Sequence, residues 1–100
     1  MNERIVLRPL AEVDLLEGID WYEGKRSGLG AEFLLEIEAA LHRIQDQPSL
    51  YAVAFESLRE ALVHRFPYAI YYTSEREFVV VHAIAHTARD PQHWKSRIQP

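Results

Sequence analysis

The stretch Ala61 to His86, ALVHRFPYAIYYTSEREFVVVHAIAH, decides the fold. It is rich in β-branched and aromatic residues and divides into three candidate strands, Ala61 to Phe66, Tyr68 to Thr73 and Phe78 to His86. The polar link Thr73-Ser74-Glu75-Arg76-Glu77 is short enough to join two antiparallel strands. It lacks the Asn-Gly or Asp-Gly of a tight hairpin, so its turn type stays open. This half of the chain reads as an antiparallel meander.

Upstream of it the periodicity changes. Leu15, Leu16, Ile19 and Tyr22 recur at spacings of three and four, which predicts a helix from about Ala11 to Glu23. Arg26-Ser27-Gly28-Leu29-Gly30 breaks that pattern with two glycines. Phe33, Ile37, Ala40, Leu41 and Ile44 then mark a second amphipathic helix starting near Leu29 and ending at Gln47-Pro48-Ser49. Early Glu32 and late Arg43 suit its dipole. The two helices form an antiparallel hairpin. Ile5-Val6-Leu7-Arg8, closed by Pro9, reads as one N-terminal strand. At the other end Asp90-Pro91 signals a short terminal helix, Pro91 to Ile98, with Asp90 as its N-cap. The expected class is α+β: an N-terminal strand, an α-helical hairpin packed on an antiparallel β-sheet and a short C-terminal helix.

The chain has 100 residues, 48% of them hydrophobic and 26% charged, the balance of one folded domain spanning 1–100. With no cysteine, it has no disulfide framework and no thiolate metal site. No His-x-x-x-His lies on a predicted helix, so no metal and no cofactor are expected. The apolar runs fall far short of the ~20 residues of a membrane span, and the start lacks the apolar segment of a secretory signal. A cytoplasmic location is expected. The net charge of −4 argues against general affinity for nucleic acid, which normally requires a basic excess. Charge is uneven, however. Glu32, Glu36 and Glu38 crowd the first half, whereas Arg59, His64, Arg65, Arg76, His82, His86, Arg89, His93, Lys95 and Arg97 lie in the second.

Several local patterns resemble the ParE/RelE toxin superfamily, in particular its ParE-like, plasmid-stabilisation branch. They are Ala11-x-x-Asp14-Leu15 and Trp21-Tyr22-Glu23, then Gly28-Leu29-Gly30 with Glu32-Phe33, then Arg43-Ile44 with Pro48 and Tyr51. The sheet half adds Arg65-Phe66-Pro67-Tyr68-x-Ile70-x-Tyr72 and the ending His86-x-x-Arg89-Asp90-Pro91-x-x-Trp94-x-x-Arg97. The resemblance covers almost the whole chain. It implies the toxic half of a type II toxin-antitoxin pair, a cognate antitoxin, and operator DNA contacted only through that antitoxin. The superfamily includes inhibitors of DNA gyrase, and the resemblance leaves the target open. The alternative is ribosome-bound messenger RNA cut by a RelE-like endoribonuclease, and a further alternative is a degenerate toxin that only binds antitoxin.

The two target readings need different residues. A ribonuclease must deprotonate a 2'-hydroxyl and stabilise phosphate charge, for which Arg65, His86 and Arg89 are the candidates. By the period of two, His82, Ile84 and His86 share one strand face and can join Arg65 from a neighbouring strand. Only two lysines occur, and Trp94 cannot serve as an acid or base. The acidic balance and poor acid-base set favour a non-enzymatic toxin with no catalytic residues. Its target would meet His86, Arg89, Trp94 and Arg97, with Arg89 the freest and Trp94 chiefly a staple for the terminal helix. The antitoxin would cover apolar grooves at Trp21, Tyr22, Leu29 and Phe33.

Overall fold

A computed structural model describes residues 4–98. The elements run β1 (Arg4–Leu7), α1 (Pro9–Lys25), α2 (Leu29–Asp46), β2 (Val53–Phe55), β3 (Leu58–Leu62), β4 (Tyr68–Glu75), β5 (Phe78–His86) and α3 (Gln92–Lys95). The five strands form one sheet in the order β1-β5-β4-β3-β2, antiparallel except that β1 runs parallel to β5.

The helical hairpin covers one sheet face. Phe33, Ile37, Ala40 and Ile44 of α2 and Ala11 of α1 close over Ala61, Ile70, Tyr72, Val79, Val81 and Ile84. A second cluster lies on the opposite face, where Leu58, Ala69, Tyr71, Ala83 and Ala85 pack beneath Trp94. That face, unaccounted for by two helices alone, is covered by the C-terminal segment.

Several boundaries differ from expectation for local reasons. Pro9 does not merely close the first strand. It opens α1, where its fixed φ and missing N–H suit the first turn. The predicted strand Ala61 to Phe66 is displaced to Leu58–Leu62, because Arg65 adopts a left-handed φ of 72° and bends the chain before Pro67. A three-residue strand, β2, was not foreseen. It pairs with β3 through a turn in which Glu56 is left-handed. The β4–β5 connection contracts to Arg76-Glu77, with Arg76 at φ 53°. The terminal helix is a single turn, Gln92–Lys95, and the Asp90 side chain accepts from the Gln92 N–H at 2.9 Å as its cap.

One irregularity rearranges the site. The β4–β5 ladder pairs Tyr71 with Ala83 but Tyr72 with Val81, so His82 is an extra residue, a bulge. The alternation of faces therefore slips at His82. Ile84 belongs to the helix-facing core, whereas His82 turns to Thr73 on β4 at 2.9 Å. His82 and His86 do not share a face, contrary to the period-two reading.

Candidate functional site

The end of β5 and the segment after it meet α1 at a cleft of about 80 Å³. It is lined by Asp14, Glu17, Gly18, Tyr68, Ile84, Ala85, His86 and Arg89. His86 is exposed and set edge-on to Tyr68, ring centres 5.5 Å apart. Its Nδ1 accepts from the Ala88 N–H at 3.0 Å, so a neutral ring carries its proton on Nε2 and offers a donor. The Arg89 N–H returns to the His86 carbonyl at 3.0 Å, which fixes the turn that presents both residues. The Arg89 side chain is exposed and has no ion pair among the described residues, although Glu17 and Asp14 share its cleft. Burial pushes the Tyr68 hydroxyl pKa up, and the Arg89 charge opposes that rise.

Arg65 is elsewhere. Its guanidinium bonds Glu32 at 2.8 Å and lies 3.8 Å from Glu36, both on α2, and it does not line the cleft. Of the three groups of the nuclease reading, Arg65 is therefore engaged by carboxylates of α2, while His86 and Arg89 share the cleft. The ion pair also holds the Glu32 carboxyl below the usual carboxylate range.

Arg97 has a different position from the one expected of a target contact. Only 12% of its side chain is exposed, and it forks onto Asp14, with Nη1 donating to Oδ2 and Nη2 to Oδ1, each at 3.1 Å. Nη1 also donates to the His82 carbonyl at 2.8 Å, and Asp14 Oδ2 accepts from the Ile84 N–H at 3.0 Å. These two backbone groups lie just beyond the end of β1, whose pairing with β5 stops at Leu7 and Val81. The Asp14–Arg97 pair thus satisfies the strand edge where β1 no longer reaches it. Arg97 is a tie between α1, β5 and the C-terminal segment, not a surface cation. Because Arg97 Nη2 can only donate, its 3.2 Å contact with His93 Nε2 makes that nitrogen an acceptor. Burial, against the attraction of Asp14 and with the charges of Arg89 and Arg97, holds the His93 pKa below its ordinary value.

Trp94 is buried and stacks on Tyr71 at 4.2 Å between ring centres, 9° from parallel. It staples α3 to the sheet and leaves little surface for a target. Tyr71 donates to Glu60 at 2.6 Å, and burial with that carboxylate drives its pKa far up.

The four antitoxin candidates separate. Trp21 is exposed beneath Lys25, whose Nζ lies 4.1 Å from the ring centroid. Tyr22 and Leu29 are partly buried against the core, and Tyr22 meets the rings of Phe33, Phe66 and Tyr68. Phe33 is 0% exposed, so it can only support such a surface from below. The sequence reading missed Asp14 and His93. Asp14 is a carboxylate on the inner side of an apolar helix, and that is the signal that could have marked it. Among the described residues no group of three or more His, Asp or Glu side chains is placed to hold a metal ion.

Comparison with known proteins finds a matching family and similar solved structures. Residues 5–91 match the family described as ParE toxin of type II toxin-antitoxin system, parDE. Among solved structures the fold is similar to the chromosomal ParDE TA system from P. aeruginosa, with a TM-score of 0.75 and 14% sequence identity. That similarity covers 84% of this chain and 95% of the other. No curated protein matches the sequence.

Proposed function

The chain belongs to the ParE toxin family of type II toxin-antitoxin systems, and from that premise we propose that it arrests growth by inhibiting DNA gyrase and is neutralised by a cognate antitoxin. The observation that carries the choice of target is the position of Arg65. A ribonuclease needs its general base, general acid and phosphate cations within reach of one scissile phosphate. Here Arg65 is held by Glu32 and Glu36 on α2, while His86 and Arg89 line a separate cleft among carboxylates. A phosphate chain of ribosomal or messenger RNA would meet Asp14 and Glu17 there, in a protein of net charge −4.

A protein target suits the same surface better. Arg89 is an exposed cation on a rigid turn, and His86 beside it offers an Nε2 donor. Together they form the target-facing patch, and Arg97 and Trp94 hold its frame. No helix is long and apolar enough to cross a membrane among the described residues.

Induction in cells tests this reading. DNA damage is expected before translation stops, with co-expression of the neighbouring gene's product restoring growth. Early cleavage of ribosome-bound messenger RNA, abolished by Arg65→Ala with His86→Ala, would establish the nuclease alternative instead. Normal growth with retained antitoxin binding would identify a degenerate toxin.

A further inference from the structure

A second cleft, of about 360 Å³, opens at the start of α1 and is lined by Arg8, Pro9, Leu10, His82, Ser96 and Arg97. The Arg8 N–H donates to the Val81 carbonyl at 3.0 Å, which sets Arg8 beside His82 where β1 ends. The Arg8 side chain is exposed and has no ion pair or hydrogen bond among the described residues. No side chain caps the first turn of α1, so the Leu10 N–H is among the amides that this positive helix end leaves unpaired. Arg97 adds a second guanidinium, already engaged by Asp14.

His82 points to what the cleft holds. It is 6% exposed, and its Nδ1 is buried with no hydrogen-bond partner among the described residues. Such an atom costs free energy unless something pairs with it. Its character is fixed from the other nitrogen. Thr73 Oγ1 donates its one proton to Glu75 at 2.7 Å, so in its 2.9 Å contact with His82 it accepts, and Nε2 carries the ring proton. Burial first and the Arg8 charge second hold the ring below its ordinary pKa, so it is neutral at pH 7.5. Nδ1 is therefore an acceptor, and its complement is a donor. Because Nε2 reaches toward β4, Nδ1 is left for the side of β5 on which β1 ends and the cleft opens.

We propose that this cleft binds hydrogen phosphate, whose charged oxygens meet Arg8 and the Leu10 amide while its hydroxyl donates to His82 Nδ1. The site must satisfy cations and a buried acceptor at once. Sulfate and carboxylates are bare acceptors at neutral pH, and each would set a lone pair against that of Nδ1. A phosphate monoester, with a second pKa of about 6, is likewise a bare dianion at pH 7.5. Hydrogen phosphate keeps one hydroxyl and answers both demands. Bound there, it would tie the start of α1, the β5 bulge and the C-terminal segment together.

Titration of the full chain at pH 7.5 and matched ionic strength, with inorganic phosphate, sulfate and methyl phosphate in turn, tests the assignment. Melting temperature and the nitrogen resonances of His82 are read together. Phosphate should raise the melting temperature and move the Nδ1 resonance to that of a hydrogen-bonded acceptor. Sulfate and methyl phosphate should bind at least about tenfold more weakly. Arg8→Gln, at an exposed position, should weaken phosphate binding about tenfold while the anion-free melting temperature stays unchanged. Thr73→Val frees the ring to carry its proton on Nδ1 and should erase most of the preference for phosphate over sulfate. If Thr73→Val does not fold, the Nδ1 resonance of the wild-type chain decides. Equal binding of the three anions with Nδ1 unmoved, or wild-type affinity in Arg8→Gln, would overturn the site. No response to phosphate in either reading would overturn it as well and assign water as the partner of Nδ1.

Discussion

Asp14 and Arg97, separated by 83 positions in sequence, meet in a two-pronged ion pair that completes the open edge of β5. The pair joins the first helix to the last turn of the described chain, and it brackets the cleft that presents His86 and Arg89. Removing one member leaves the other charged and poorly solvated. Arg97→Ala and Asp14→Ala are each expected to lower unfolding free energy by about 3–5 kcal/mol, the usual cost of breaking a buried pair. Urea denaturation measures this. If Arg97→Ala kept wild-type stability but lost toxicity, Arg97 would be a target contact after all.

Acid should loosen the same region. His93 and His82 both have pKa values lowered from 6.5 in the folded state, chiefly by burial, with Arg8 also acting on His82 against the pull of Glu75. The unfolded chain therefore binds more protons than the folded chain as pH falls through 6.5, so their contribution is full above that value and is lost below it. The Glu23 and Glu32 carboxyls, lowered from 4.5, add their loss only in a more acidic window. Denaturation at pH 7.5 and 5.5 should show lower stability at 5.5, with a smaller difference in the variant His82→Gln, His93→Gln. An unchanged difference in that variant would assign the acid sensitivity to other groups.

Much of the architecture was legible in the sequence, because each major element announced itself locally. The apolar spacing of α2 and the β-branched run of β5 both reappear in the structure, and Asp90 caps the terminal turn as its place before Pro91 implied. Three features had no local signal. The bulge at His82 depends on the β4–β5 register, and it reverses the face on which a strict period of two puts that residue. Arg97 looked like a free cation because its partner is far away in the chain. Phe33 looked like a groove residue because nothing in a helical pattern separates the fully buried position from its half-covered neighbours.

The helical hairpin is closed at a position with no room for a side chain. A Cβ at Gly30 would lie 2.8 Å from the Ile19 carbonyl oxygen and 2.9 Å from Glu23 Oε1, and the backbone atom cannot yield as a rotamer would. Gly30→Ala is expected to cost about 1–3 kcal/mol by overpacking, read as a lower urea midpoint. An unaltered midpoint would mean that α1 and α2 separate without penalty.

Arg89 and Asp90 are neighbours with different duties. Arg89→Ala removes the exposed cation of the cleft and should abolish growth arrest at unchanged melting temperature. Asp90→Ala removes the cap on the Gln92 N–H and should cost about 1 kcal/mol while leaving most of the toxicity. Should Arg89→Ala stay fully toxic, or lose toxicity only in proportion to stability, the target-facing patch lies elsewhere.

Inhibition of gyrase is tested by plasmid supercoiling with purified gyrase in the presence of this chain, with and without the antitoxin encoded beside it. Gyrase inhibition requires that wild-type toxin block supercoiling, that Arg89→Ala fail to do so, and that antitoxin restore the reaction. Undiminished supercoiling at concentrations of toxin that arrest translation on purified ribosomes would contradict it.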